Sequence, residues 1–321
     1  MAEGLYTTDN VASSKLYTEF MQSVELTKGS RELFRDLFCN TTQKKTVRVT
    51  QSALRFVAGG SDLSTPPWDR TRYRDIALPT PRKFELAAGF TKEAWERGLD
   101  ASEVRTLQQD VIRADERLIQ ELVLSAVMTD GGLWDGSMTL APPAYQSNSF
   151  LTTHDHYLAS DASGEPTLAL VADGKHHLVE HGYEGFIGFW PSSMAELVEG
   201  KAEWETTSNY VTTPTIARLQ ERGIMPNETF VAAGVPFMVN DWVPENYFII
   251  VATNVKLCHW REVEGPGTGL IAHSTDDFNK TIDEYRRYGS VKVTSRGAAV
   301  VYYLNSGTYA SPSFTYSSYA A

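Results

Sequence analysis

The chain has 321 residues, 42% hydrophobic and 21% charged, enough to bury the core of one large domain or two. A net charge of −11 at pH 7 argues against gripping nucleic acid across the whole surface. Cys39 and Cys258 cannot make a disulfide framework, and no signal-peptide pattern or membrane-length apolar run is present, so a soluble protein made in a reducing compartment is expected.

Residues 1 to 28 are polar, rich in Ser and Thr, and read as an extended arm. Ser30 to Phe38 predicts a short helix with Leu33, Phe34, Leu37 and Phe38 on one side, suited either to its own domain or to a partner. Alternation at Val47, Val49, Leu54 and Phe56 predicts a strand over Lys45 to Val57. The turn-rich run GGSDLSTPPWD and the returning RTRYRDIALP complete a long β-hairpin. It is too polar on both faces to form its own core. It is therefore a solvated loop or lies on something else, and its length favours the second. From Lys44 to Glu85, nine basic residues stand against four acidic ones.

Asp100 to Met128 contains no Gly or Pro, and Val104, Leu107, Val111, Ala114, Leu118, Leu122 and Ala126 recur at helical steps. Asp100 and Glu103 have capping-box spacing, and Asp130-Gly131-Gly132 stops the run. Such a helix is roughly 43 Å long. Its heptads are not sustained as in a coiled coil, so it is expected to brace the subunit as a spine. Asp115 and Glu121 fall off the apolar stripe and are expected to face outward.

Beyond the spine, Leu133 to Gly164 reads as irregular and strand-bearing, and Pro166 to Gly182 as one or two helical turns interrupted at Gly174. Phe186 to Trp190 predicts a buried strand, Ser192-Ser193 the cap of a helix over MAELVEG, and Thr215 to Arg222 another helix. Thr229 to Trp242 predicts strand, turn and strand, and Tyr247 to Thr253 an apolar strand. Asp276 to Tyr288 starts acidic and ends basic, as a helix dipole prefers, and Val291 to Leu304 closes with strand material. Without a regular βαβ repeat, the class is α+β.

His177-Leu178-Val179-Glu180-His181 spells H-x-x-E-H, an inverted zinc-protease motif. Boxed in by Gly174 and Gly182 and without an evident third ligand, it reads as a helix end with partly exposed imidazoles. His154 and His156 share one face of an extended run, but the sequence names no third or fourth ligand, so packing or a backbone hydrogen bond is the favoured reading. No phosphate-binding loop, nucleophile elbow or dinucleotide fingerprint is present. No catalytic, cofactor-binding or metal-binding residue is therefore assigned, and no cofactor is expected. A zinc hydrolase using His177, Glu180 and His181 is the alternative from another class.

The order of parts, together with KFELAAGFTKEAWERGLD, the spine, its Asp130-Gly131-Gly132 ending, GVPFMVNDWVPENYFIIVATN and EYRRYGSVKVTSRGAAVVYY, resembles the major capsid protein of tailed double-stranded DNA bacteriophages, the Hong Kong 97-type fold. The resemblance covers roughly residues 40 to 305. It implies an α+β fold with an N-arm at 1–43, an E-loop hairpin at 44–88 and a P-domain at 89–164 carrying the spine. An A-domain at 165–284 and a return to the P-domain with the C-terminal tail at 285–321 complete it.

The function implied is that of a non-enzymatic subunit forming homo-pentamers and homo-hexamers of an icosahedral head. The head encloses DNA without reading its sequence and has no membrane part. It is assembled in the host cytoplasm and resident in the virion capsid. Portal and decoration proteins are the other partners implied. No long N-terminal helical scaffolding segment is seen, so scaffolding is expected from a separate protein, and no crosslinking Lys–Asn triad is matched. The related alternative is an encapsulin-like nanocompartment shell. The likeness lays the basic hairpin over a neighbouring spine, where nine acidic residues stand against four basic ones from Glu93 to Asp130. Candidate interface residues are Trp68, Arg70, Arg72 and Arg74 on the hairpin, and Asp115, Glu116 and Glu121 on the spine.

Overall fold

The structure is a computed structural model that describes residues 6–51, 72–130, 150–151, 154–161, 164–199, 201, 204–207, 229–263, 269–277 and 280–314. Its longest helix is the spine, α4 (Ala101–Met128). The Asp100 carboxylate accepts from the Ser102 amide at 3.2 Å, and the Asp100 amide donates to Glu103 at 3.1 Å, so the capping box forms as the spacing predicts. At the other end, Tyr157 Oη donates to the carbonyls of Val127 and Thr129, Arg296 Nη1 to that of Val127 at 2.8 Å, and Tyr309 Oη to that of Met128. Carbonyls that a helix end leaves unpaired are thus satisfied by three distant segments.

The buried stripe of α4 runs through Ala101, Val104, Gln108, Val111, Asp115, Ile119 and Leu122. It is displaced from the predicted one: Ala114 is exposed and Leu107 half-buried. Apolarity alone mis-set the face because two polar residues on the true face have partners. Gln108 Nε2 donates to the Leu16 carbonyl at 3.3 Å, and Asp115 pairs with Arg287. From Ile119 to Leu124 every residue is buried.

The N-terminal segment is not an extended arm. Ser13–Arg31 forms a 19-residue helix, α1, followed by α2 (Leu33–Phe38). Leu16, Phe20 and Val24, four residues apart, are buried. Leu16 packs with Trp95, Leu99 and Val104, and Phe20 and Val24 pack with Val111 and Tyr285, so α1 lies along the spine in step with it. Helical propensity is modest here; the helix is held by tertiary packing.

A hairpin of β2 (Thr46–Gln51) and β3 (Arg72–Ala77) forms in the register Thr46↔Ala77 to Gln51↔Arg72, following the short β1 (Cys39–Thr42). β4 (Arg82–Thr91) and the short α3 (Lys92–Glu96) lead to the spine. β4 pairs antiparallel with β13 (Lys280–Val293), which also pairs with β12 (Leu270–Asp277) and β11 (Cys258–Arg261), while β1 joins β11 in parallel. The run from Asp276 to Tyr288 is therefore β-strand, not helix. Tyr285, Arg287 and Gly289 are buried on alternate positions, a period of two that the charge gradient obscured.

A seven-stranded sheet forms the centre, in the order β5 (Tyr157–Ala159), β14 (Ala299–Tyr303), β10 (Tyr247–Ala252), β6 (Phe186–Trp190), β9 (Val235–Val239), β8 (Thr229–Ala232) and β7 (Glu205–Thr207). Every residue of β10 is buried. Tyr247, Ile249 and Val251 face the core shared with the spine, whereas Phe248 and Ile250 face α5 (Leu168–Glu180) and α6 (Ser192–Val198). A sheet covered on both faces explains the unbroken apolar run. α5 is continuous through Gly174, contrary to the predicted interruption. A Cβ there would lie 3.0 Å from the Tyr302 ring and 3.1 Å from Ile250, so glycine lets the helix lie close on the sheet. The α6 cap is supplied by Asp241, whose carboxylate accepts from the Ser192 amide at 2.9 Å. The predicted helix at Thr215 to Arg222 and the Gly131-Gly132 stop lie outside the described residues.

Candidate functional site

Two of the spine acids expected on the surface are buried. Asp115 is only 5% exposed and takes a bidentate pair from Arg287, one arm at 2.7 Å and the other from Nε. Arg287 also lies 3.5 Å from Glu32, which receives Arg35 at 3.0 Å, and Arg35 reaches Glu262 at 3.1 Å. Burial works to lower the Arg35 pKa, but Glu32, Asp36 and Glu262 outweigh it and hold the pKa above its usual value. The five side chains Glu32, Arg35, Asp115, Glu262 and Arg287 form a buried ionic seam joining the α1–α2 junction, the spine, β11 and β13.

Glu121 is also buried and accepts from Arg117 Nε at 2.8 Å, while the Arg117 guanidinium lies 4.9 Å from the Trp242 ring. Glu116, half-buried, accepts from Gln120 at 3.4 Å. A period-3.6 stripe drawn from apolar residues cannot show an acid that has found a buried arginine. Within EYRRY, the signal that marks Arg287 is its alternation with Tyr285.

The hairpin contrasts with this seam. Among the described residues, its apolar cluster holds Val47, Ile76 and Leu78, with Val49 beside it. Arg48 and Asp75 pair in the open at 2.8 Å, and Arg48 beside Asp75 draws that carboxyl below its usual pKa. At the hairpin's root, Arg261 donates to the carbonyls of Leu78 and Pro79, and Ser290 Oγ to that of Pro79. An open groove of about 800 Å³ lies there, lined among others by Asn40, Thr42, Lys44, Val47, Arg48 and His259. Arg72 and Arg74 are on β3, opposite Gln51 and Val49; Trp68 and Arg70 lie outside the described residues.

The histidines that the sequence keeps in two groups converge. His181 ends α5, while His154 and His156 precede β5. His181 Nε2 is 2.8 Å from His154 Nε2 and 3.0 Å from His156 Nε2. His156 Nδ1 is 2.8 Å from the Ala299 carbonyl, and His177 Nε2 is 2.8 Å from that of Asp155. Burial, then the neighbouring imidazoles, depresses these rings: His156 falls well below its usual pKa and His181 to about 3. The H-x-x-E-H arrangement is not assembled as in a zinc protease. His177 is turned to a backbone carbonyl, and Glu180 lies 3.3 Å from His176.

A long spine over a strand-rich subunit, with a projecting hairpin and a central mixed sheet, is the architecture of capsid-shell proteins: the chain has the α+β Hong Kong 97-type capsid fold. Over 97% of its length it superposes on 96% of a solved chain of Mycobacterium phage Patience, with a TM-score of 0.64 at 17% identity. The capsid of cyanophage P-SCSP1u aligns over 84% of this chain and 87% of its own, with a TM-score of 0.54 and 10% identity. The mature capsid of bacteriophage PhiM1 aligns over 83% and 85%, with a TM-score of 0.51 and 12% identity. No protein-family model matches the sequence, and no curated protein matches it.

Proposed function

We propose that the chain is the structural subunit of an icosahedral phage head, assembling into pentamers and hexamers that enclose double-stranded DNA. The observation that carries this reading is the capsid fold shared over nearly the whole chain. In this reading the chain divides into N-arm, E-loop, P-domain and A-domain. The same reading has it assembled in the host cytoplasm with separate scaffolding, portal and decoration proteins. The hairpin is consistent with this role, because a two-stranded ribbon is marginal alone and gains burial by lying on a neighbour. Its acidic counterparts on a neighbouring spine are the exposed Glu103 and Asp110 and the half-buried Glu116, in place of the internal Asp115 and Glu121. A net charge of −11 suits a container that must not adhere to its contents.

Size-exclusion chromatography and negative-stain imaging of the purified protein test the proposal. Closed shells or ring-shaped capsomers are expected. A stable monomer with an ordered hairpin would overturn it. Nuclease-protected DNA inside particles from an infected host distinguishes a phage head from a nanocompartment holding protein cargo.

A further inference from the structure

We propose that His154, His156 and His181 form a binding site for a divalent transition-metal ion of the zinc class, clamping the edge of the central sheet to the end of α5. Their three ligand atoms lie within 4.8 Å of one another. They come from two segments 25 residues or more apart, so no local repeat produces the convergence.

The hydrogen-bond chemistry points to a cation. The Ala299 carbonyl only accepts, so His156 Nδ1, 2.8 Å away, carries the proton and leaves Nε2 as a lone pair in the neutral ring. That lone pair is directed at His181 Nε2, which also faces His154 Nε2. A backbone carbonyl fixing the far nitrogen is the support that metal-ligating histidines use to set tautomer and ring orientation. Nitrogens bound tetrahedrally at ~2.0–2.1 Å from zinc lie ~3.3 Å apart. The separations of 2.8 and 3.0 Å would open by a few tenths of an ångström, and the His154–His156 pair, as much as 4.8 Å apart, would close by about 1.5 Å through ring rotation to seat the ion.

The surroundings fit as well. Phe150 stacks on His181 with ring centroids 4.0 Å apart, and His177 stacks on His154 at 4.6 Å, so packing restrains two of the ligand rings. Glu180 and Asp155 act electrostatically on His154 and supply negative charge nearby. Imidazole-only donors favour zinc, cobalt, nickel or copper over magnesium or calcium. Three protein ligands leave a fourth position for water.

The test uses full-length protein stripped with a chelator and then given zinc or cobalt(II). One equivalent of zinc per chain is expected after removal of excess metal. Cobalt(II) should show the intense visible absorption of a tetrahedral site, and zinc should raise the melting temperature. His154→Ala and His181→Ala should each lose the metal and the melting shift, whereas His259→Ala, at a histidine bonded to Thr294 away from the cluster, should retain both. Because the cobalt spectrum reads the wild-type site directly, a variant that fails to fold does not decide the matter. Substoichiometric zinc and no tetrahedral cobalt band in the wild type would overturn the site. So would metal kept by folded His154→Ala and His181→Ala, or lost from His259→Ala as completely as from them.

Discussion

The ionic seam against the spine and the β2–β3 hairpin are both rich in charge, yet they use it in opposite ways. In the seam, Arg287 and Arg35 are almost wholly buried, and their donors meet Asp115, Glu32 and Glu262 within the same chain. In the hairpin, the ion pair of Arg48 with Asp75 is open to solvent. Buried charge must be satisfied inside the subunit, because leaving it unpaired costs several kcal/mol. Exposed charge costs little to leave unpaired and can serve register and association rate between subunits. Acidic residues on one helix thus divide into internal fasteners and surface groups according to what the neighbouring elements bring to them.

The largest effect is expected from breaking the seam. Arg287→Met removes the bidentate guanidinium from buried Asp115 and should destabilise unassembled subunits by about 3–5 kcal/mol, read by chemical denaturation. The double change Asp115→Leu with Arg287→Met should recover most of that loss; no recovery would mean that Arg287 acts through Glu32 instead. Leu16→Ala should cost about 2–4 kcal/mol, because it opens a cavity between α1 and the spine. A loss far below 1 kcal/mol would show that α1 is not packed on the spine in solution.

Changing Arg70, Arg72 and Arg74 together to Glu should leave the denaturation midpoint of the subunit unchanged while giving soluble capsomers that fail to close. Normal shells from this variant at low salt would mean that the hairpin docks by shape and apolar contact alone. The smallest effect is expected from Glu180→Gln, which should change stability by less than about 0.5 kcal/mol and leave particle yield intact. A large loss of yield would give Glu180 a role that its pairing with His176 does not suggest.

Much of this architecture is legible in the residues. The spine and its capping box, the apolar β10, the strand at Phe186 to Trp190 and the two arms of the hairpin all follow from local rules, since capping and periodicity act over a few residues. The order of these parts was also enough to place the chain among capsid folds. Other features were decided by contacts between residues far apart in sequence. Ser13–Arg31 is helical because Leu16, Phe20 and Val24 find the spine. Lys280–Val293 is a strand because β4, β11 and β12 supply its hydrogen bonds, which outweigh a charge gradient suited to a helix. Asp115 is internal because Arg287 stands 172 residues away in sequence but directly opposite in space. The histidines are two unremarkable pairs until α5 and the approach to β5 bring three of their nitrogens together. Local sequence sets which conformations are cheap, while the partner that makes a buried charge or a cluster of imidazoles tolerable is chosen by the packing of the whole chain.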